Sequence, residues 1–221
     1  MKHLLGIFIL AGILSGQEVN PDKRLEHATE ALRAFLSTES SIPKELAGKA
    51  QCVVVVPRLV KGAFLFGGKY GRGFASCRRE NGGWSAPAAI AIEGGSFGPQ
   101  LGGSATDLIM LVMNQGGMAR LLSDKFTLGG EIAIVQGPTG KTASLNTDVM
   151  LKAGMLSYSR SKGLFTGLSL EGATLRTDGG ENKKLYGHDV GNRDILMGKV
   201  PAPKGARAFV ALLNKRARKG K

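Results

Sequence analysis

Cations set beside glycines are the residues of this sequence with the plainest chemical capacity. Arg58, Lys61, Lys69, Arg72, Arg78 and Arg79 fall in turns or at strand ends between Pro57 and Asn81, interleaved with Gly62, Gly67, Gly68, Gly71 and Gly73. A positive charge next to an exposed glycine N–H offers one anion two kinds of donor, so such a stretch can hold a phosphate or a carboxylate. Arg160 and Lys162 form a second group, set among the hydroxyls of Tyr158, Ser159 and Ser161. A third group ends the chain: Lys204, Arg207, Lys215, Arg216, Arg218, Lys219 and Lys221, with no acid after Asp194. The residues singled out for binding an anion are Arg58, Lys61, Lys69, Arg72, Arg160, Lys162, Lys215 and Arg216.

Other chemistry finds little support. Gly137-Pro138-Thr139-Gly140-Lys141-Thr142 looks like a phosphate loop, but Val135 stands where its first glycine is required. Gly71 and Gly73 have no third glycine at the dinucleotide-binding spacing. Ser169 is followed by Glu171 where a nucleophile elbow needs glycine. His3, His27 and His188 have no partners at metal-ligand spacing, and no pair of carboxylates suggests acid–base work. The chain is therefore expected not to be an enzyme and to need no cofactor or metal.

Composition narrows the partner. Thirty Lys and Arg against 17 Asp and Glu give a formal net charge of +13. An excess of that size calls for a polyanion: phospholipid head groups, nucleic acid or another anionic polymer. Aromatic residues make up only 6% of the chain, too few for a base-stacking platform, so nucleic acid is not expected. Hydrophobic content of 43% supports a folded core, and 221 residues suffice for one sizeable domain.

The elements that must position the cations can be read in order. Lys2 followed by the apolar run 4–14 and the small Ser15-Gly16 has the form of a secretory signal over residues 1–16. Export to the periplasm or beyond is expected, and there Cys52 and Cys77 would form a disulfide or stay as two buried thiols. An amphipathic helix is expected over residues 22–37, capped by Asn20 with Pro21 at its first position, and a shorter one ends at Lys49. Val53, Val54, Val55 and Val56 make a strand buried on both faces and closed by Pro57. Further strands, separated by glycine turns, are expected at 63–66, 73–77, 88–92, 107–114, 128–135, 148–157 and 164–175, with Asn81-Gly82-Gly83 turning a hairpin. Leu164, Leu168 and Leu170 share one parity, as on one face of a strand. Short helices are expected over 118–126 and 192–196. Beyond Pro201 and Pro203, residues 206–217 pair an apolar stripe of Phe209, Val210, Leu212 and Leu213 with a cationic end. That pattern suits either a membrane-surface helix or a docked terminal helix with a basic tail. The expected fold is α+β: a curved, mainly antiparallel sheet, open or barrel-like, flanked by helices, over 22–200, followed by the basic helix and tail at 201–221.

Many of these residues recur together in a known family. Ile42-Pro43, the runs 50–57 and 62–73, Trp84-Ser85-Ala86-Pro87, the run 96–102 and Thr127-Leu128-Gly129 resemble, in order, the SYLF domain, also called the Ysc84 domain. The run 158–167 with Leu170-Glu171-Gly172 is the most specific piece, and Asn182, Tyr186-Gly187 and the run 195–198 close it. The resemblance covers about residues 24–200. It implies a non-catalytic lipid-binding module that prefers phosphoinositides and other anionic lipids. Its eukaryotic relatives join SH3 or FYVE domains and act at membranes and actin; this chain looks like the stand-alone exported bacterial form. The family's N-terminal amphipathic helix carries over only to residues 22–37. A scaffolding envelope protein that binds another protein or an anionic polymer is the alternative reading.

Overall fold

The computed structural model describes residues 20–37, 42–64, 66–96, 104–130, 132–135, 153–162, 164–166 and 168–217. The expected signal segment, the motif residues 97–102, the turn 137–142 and Arg218, Lys219 and Lys221 lie outside them.

Helix α1 (Pro21–Phe35) starts as its sequence demands. Asn20 Oδ1 accepts the Asp22 N–H at 2.9 Å, and Pro21 sits where a missing N–H costs nothing. Its apolar face, Leu25, Ala28, Leu32 and Phe35, is wholly buried. Helix α2 (Lys44–Lys49) follows and leads into strand β1 (Cys52–Phe64).

β1 is the centre of a nine-stranded sheet. The sheet's other strands are β2 (Phe66–Cys77), β3 (Ala88–Ser96), β4 (Ser104–Val112), β5 (Lys125–Thr127), β6 (Ile132–Val135), β7 (Met155–Ser161), β8 (Leu164–Thr166) and β9 (Thr174–Thr177). The order is β5-β9-β3-β2-β1-β4-β7-β6, and β8 also pairs with β7. Among the described residues, only the β6–β7 pairing is parallel. The sheet curls into a half-barrel flanked by helices, the α+β architecture expected.

Period-2 alternation along β1 feeds two cores. Val53 and Val55 face α1, α2 and the C-terminal helix, together with Phe74, Ile109, Leu156 and Tyr158. Val54 and Val56 face the opposite way, against Leu108, Met110, Leu168, Leu170, Ile195 and Leu196. The described residues hold four further helices: α3 (Gln115–Leu121), α4 (Gly179–Tyr186), α5 (Asn192–Leu196) and, after a 3-10 turn at Lys204–Ala206, α6 (Arg207–Arg216).

Several local expectations change. Pro57 does not close its strand. β1 continues through a bulge, with register shifts against β4 between Val56 and Leu59 and against β2 between Val55 and Val60. Proline's missing N–H is tolerated at such an irregularity. The glycines between Phe66 and Cys77 are not turns but part of one continuous strand. Gly73 has a steric reason to be there: a Cβ would fall 2.0 Å from the Val55 carbonyl oxygen. Residues 164–175 are not one strand. Lys162 turns the chain at φ 47°, β8 is short, and Leu164 is exposed while Leu168 and Leu170 reach the core from outside the strands. Cys52 and Cys77, directly opposed in the β1–β2 ladder, form a disulfide, which settles the cysteine alternatives. Helix α6 is docked: Phe209, Leu213 and Ala217 belong to the α1 core, so its apolar stripe is spent inside the protein.

Candidate functional site

The candidate cations separate into three places. Arg58, Lys61, Lys69, Arg160 and Lys162 lie in the half of the sheet that holds the β1–β2 hairpin end. Tyr70, Arg72 and Phe74 alternate onto the face that the helices cover; Phe74 is buried, Arg72 half-buried, and Tyr70 is 49% exposed. Tyr70 pairs with Val60, itself 50% exposed, and Val60 pairs with the exposed Ala105 on β4. One strand further, Ser161 Oγ donates to the Ala105 carbonyl at 3.3 Å, which brings Lys162 to the end of the same row. Across four strands the row is about 14 Å wide.

The cations around that row are held in distinct ways. Arg58 lies in the β1 bulge at φ 51°, and its N–H donates to Asp107 Oδ1 at 2.9 Å. Bulges re-aim side chains, and here the arginine is turned outward and exposed. Arg58 and Lys162 are the only non-glycine residues with positive φ among the described residues, and each is a cation on this surface. Arg160 pairs in register with Asp107 and is half-buried. Lys69 Nζ donates to the Ser169 carbonyl at 2.8 Å, and burial lowers its pKa. Lys61 is placed by register, opposite Lys69 and Ser104. Glu93, nearby on β3, has its charge answered by Arg176 at 2.5 Å, and that hydrogen bond lowers the Glu93 pKa.

Arg72 does not join this surface. Its Nε meets Asp178 Oδ2 at 2.6 Å and its guanidinium meets Glu181 at 3.2 Å. Glu181, 1% exposed, also pairs with Arg24 of α1. The cluster ties α1, β2 and α4 together. Beside it, Asn182 accepts the Ala89 N–H at 2.8 Å and Asn192 donates to the Ala89 carbonyl at 3.0 Å. Asn182, Tyr186 and Ser85, all carriers of the sequence resemblance, thus bind backbone: Tyr186 OH donates to the Pro87 carbonyl, and Ser85 Oγ accepts the Cys77 N–H.

Lys215 and Arg216 lie at the other end of β1, about 25 Å along the strand. They line a cleft of about 1890 Å³ between α2, the loop 78–84, α3, α5 and α6. Arg78 organises this end. Its guanidinium donates to the carbonyls of Ala47, Gly48, Ala50 and Ala217, and stacks on Trp84 at 4.6 Å. It thereby answers the partial negative charge at the C-termini of α2 and α6 at once. Sequence reading placed Arg78 among the cations but gave no sign of this role, because its four acceptors come from two distant segments. It named Arg79 among the same cations without selecting it, and it passed over Arg193; both share the cleft wall. The described residues contain no cluster of three or more His, Cys, Asp or Glu able to hold a metal, and no helix long and apolar enough to cross a membrane.

Known proteins resemble this chain along most of its length. Residues 93–216 match the sequence model of Ysc84, a family described as Las17-binding protein actin regulators. An SH3 domain-containing protein of Schizosaccharomyces pombe is 35% identical over 187 residues, covering 82% of this chain and 43% of the relative. Protein YSC84 of Saccharomyces cerevisiae is 32% identical over 200 residues, covering 86% and 42%. SH3 domain-containing YSC84-like protein 1 of Rattus norvegicus is 32% identical over 202 residues, covering 88% and 59%. The chain spans about half the length of these relatives. Matched by the family model over more than half its length and by these relatives over more than four fifths, the chain belongs to the Ysc84 (SYLF) family.

Proposed function

We propose that this protein binds anionic membranes, without catalysis, through the uncovered row at the hairpin end of the sheet. The observation that carries the reading is the pairing of the exposed apolar side chains Val60 and Tyr70 with the exposed cations Arg58 and Lys162 around one row. Apolar groups that can enter the head-group boundary, ringed by cations that meet phosphate, are the physical signature of an interfacial contact. Attraction begins electrostatically and is screened by salt; the apolar part then persists. Helix α1 takes no part in this docked conformation, because its apolar face is in the core. The lipid would be phosphoinositide-like or another phosphate-bearing lipid of a cell envelope. Export, expected from residues 1–16, belongs to the same proposal, and the Cys52–Cys77 disulfide suits an oxidising compartment.

The test uses the two strained cations. Arg58 and Lys162 both hold positive φ, where glycine is favoured, so Arg58→Gly with Lys162→Gly removes two charges without loss of fold. Each cation near an anionic surface contributes about 1 kcal/mol, so co-sedimentation with phosphatidylserine or phosphoinositide vesicles should weaken about 30-fold. Unchanged sedimentation of a variant that melts no lower than the parent would sink the reading. The relatives' names favour a second reading, a scaffolding protein that binds another protein. It predicts no sedimentation with vesicles at low salt.

A further inference from the structure

We infer that the cleft at the opposite end of the sheet is a second, separate site, built for an acidic peptide segment that carries apolar side chains. Eight cations and two carboxylates line it. Arg78 is committed to backbone carbonyls, and Lys199 pairs with Asp194 at 2.9 Å. Lys44, Lys49, Arg79, Arg193, Lys215 and Arg216 remain, with no carboxylate partner among the described residues. Six such cations against the two carboxylates Glu45 and Glu80 leave an excess of positive charge that raises the local potential and attracts a polyanion.

The form of the cleft decides which polyanion. At about 1890 Å³ it exceeds a small-molecule pocket, whose usual range is roughly 300–1,000 Å³. A flat bilayer contacts a rim, whereas these cations line the walls of a concavity. A nucleic-acid strand needs open aromatic faces, yet the only tryptophan, Trp84, is buried under the Arg78 guanidinium. The lining between the charged walls is apolar and adaptable. Met118 of α3 and Leu122 at its C-cap lie four residues apart, and Met197, 42% exposed, lines the same cleft. Flexible methionines of this kind accommodate varied apolar side chains. Acidic groups to complement the cationic walls and apolar anchors to enter between them together describe a peptide, read partly by charge and partly by burial.

Arg79 is held for this purpose by two glycines. A Cβ on Gly198, where φ is 77°, would fall 2.7 Å from Arg79 Cδ, and one on Gly83 would fall 3.1 Å from an Arg79 terminal nitrogen. The exposed arginine therefore lies across the gap between the loop 78–84 and the end of α5.

The experiment titrates the full chain into a fluorescein-labelled synthetic 16-residue peptide of Glu and Asp with Leu or Trp at every third or fourth position. A second peptide has the apolar positions replaced by Ser. Anisotropy at low and moderate salt should show the apolar-containing peptide binding at least about tenfold tighter, since one well-buried anchor is worth more than 1.4 kcal/mol. Arg79→Glu with Arg193→Glu should weaken it at least about tenfold more and leave vesicle sedimentation unchanged. Met197→Glu, at an exposed position, should remove the preference for apolar peptide while the circular dichroism melt stays put. Equal binding of the two peptides, no effect of the charge reversals, or displacement of the peptide by phosphatidylserine vesicles would each overturn the assignment. Because the vesicle arm reads the hairpin end and the peptide arm reads the cleft, the two proposals fail separately.

Discussion

Replacing Phe209 with alanine tests whether α6 is a structural element or a surface-active one. Phe209 is fully buried in the cluster that holds Leu25, Leu32 and Phe35 of α1 and Leu213 one turn further along α6. Removing such a ring from a core costs about 3–5 kcal/mol, through lost burial and the cavity left behind. In a chain of this length each kcal/mol moves the midpoint by about 2–4 °C, so thermal melting should fall by roughly 6–20 °C. The loss also reaches the far end of the helix, where the Ala217 carbonyl accepts from Arg78 and Trp84. A helix that slid or frayed would leave both donors without that partner in a buried place. Val210→Ala, half-buried on the same helix, supplies the comparison and should cost far less. The assay is a melt followed by circular dichroism, with vesicle sedimentation in parallel. If Phe209→Ala left the melt unchanged and abolished vesicle binding, the ring would be serving a membrane and the packing argument would be wrong. By the same argument, truncation at Lys204 should unfold the domain rather than simply strip it of charge.

Arg72→Ala leaves Asp178 and Glu181 short of a counter-charge in a buried place; about 3–5 kcal/mol should be lost in urea unfolding, with vesicle binding per folded molecule unaltered. Tyr158 is fully buried and its hydroxyl has no hydrogen-bond partner among the described residues, so Tyr158→Phe should be neutral or stabilising by up to about 1–3 kcal/mol at neutral pH. Burial raises the pKa of Tyr158 and of Tyr186, so stability is whole below about pH 10 and falls as pH rises beyond it, when only the unfolded phenols ionise. Tyr158→Phe should flatten that alkaline decline, and urea midpoints between pH 9 and 11 will show whether it does. Gly73→Ala should prevent folding, because its Cβ would overlap the Val55 carbonyl; a soluble variant with the parent's melt would contradict the backbone approach described.

Local chemistry was legible in the residues themselves. The cap of α1, the double-faced valine strand, the hairpin turn at Gly82 and Gly83 and the short helix at Asn192–Leu196 follow from patterns a few residues long. Short-range sterics and hydrogen bonding suffice for those, so the sequence speaks directly. The α+β class and the family followed from many such pieces in order. What the amino-acid order did not decide was where long-range contacts spend a side chain. Arg72 and Lys162 look alike as cations beside glycine, yet one faces two carboxylates 106 or more positions away and the other turns a hairpin in solvent. The stripe of α6 fits a membrane or a core equally well, and only docking against α1 selects the core. Pro57 closes a strand by local rule, but neighbouring strands on both sides let β1 run on through a bulge. Lys215 and Arg216 are close to Arg79 only because β1 begins where α2, α3, α5 and α6 converge. Sequence patterns report what a residue prefers over a few neighbours; the tertiary fold alone sets which charges are neutralised inside and which are left facing out.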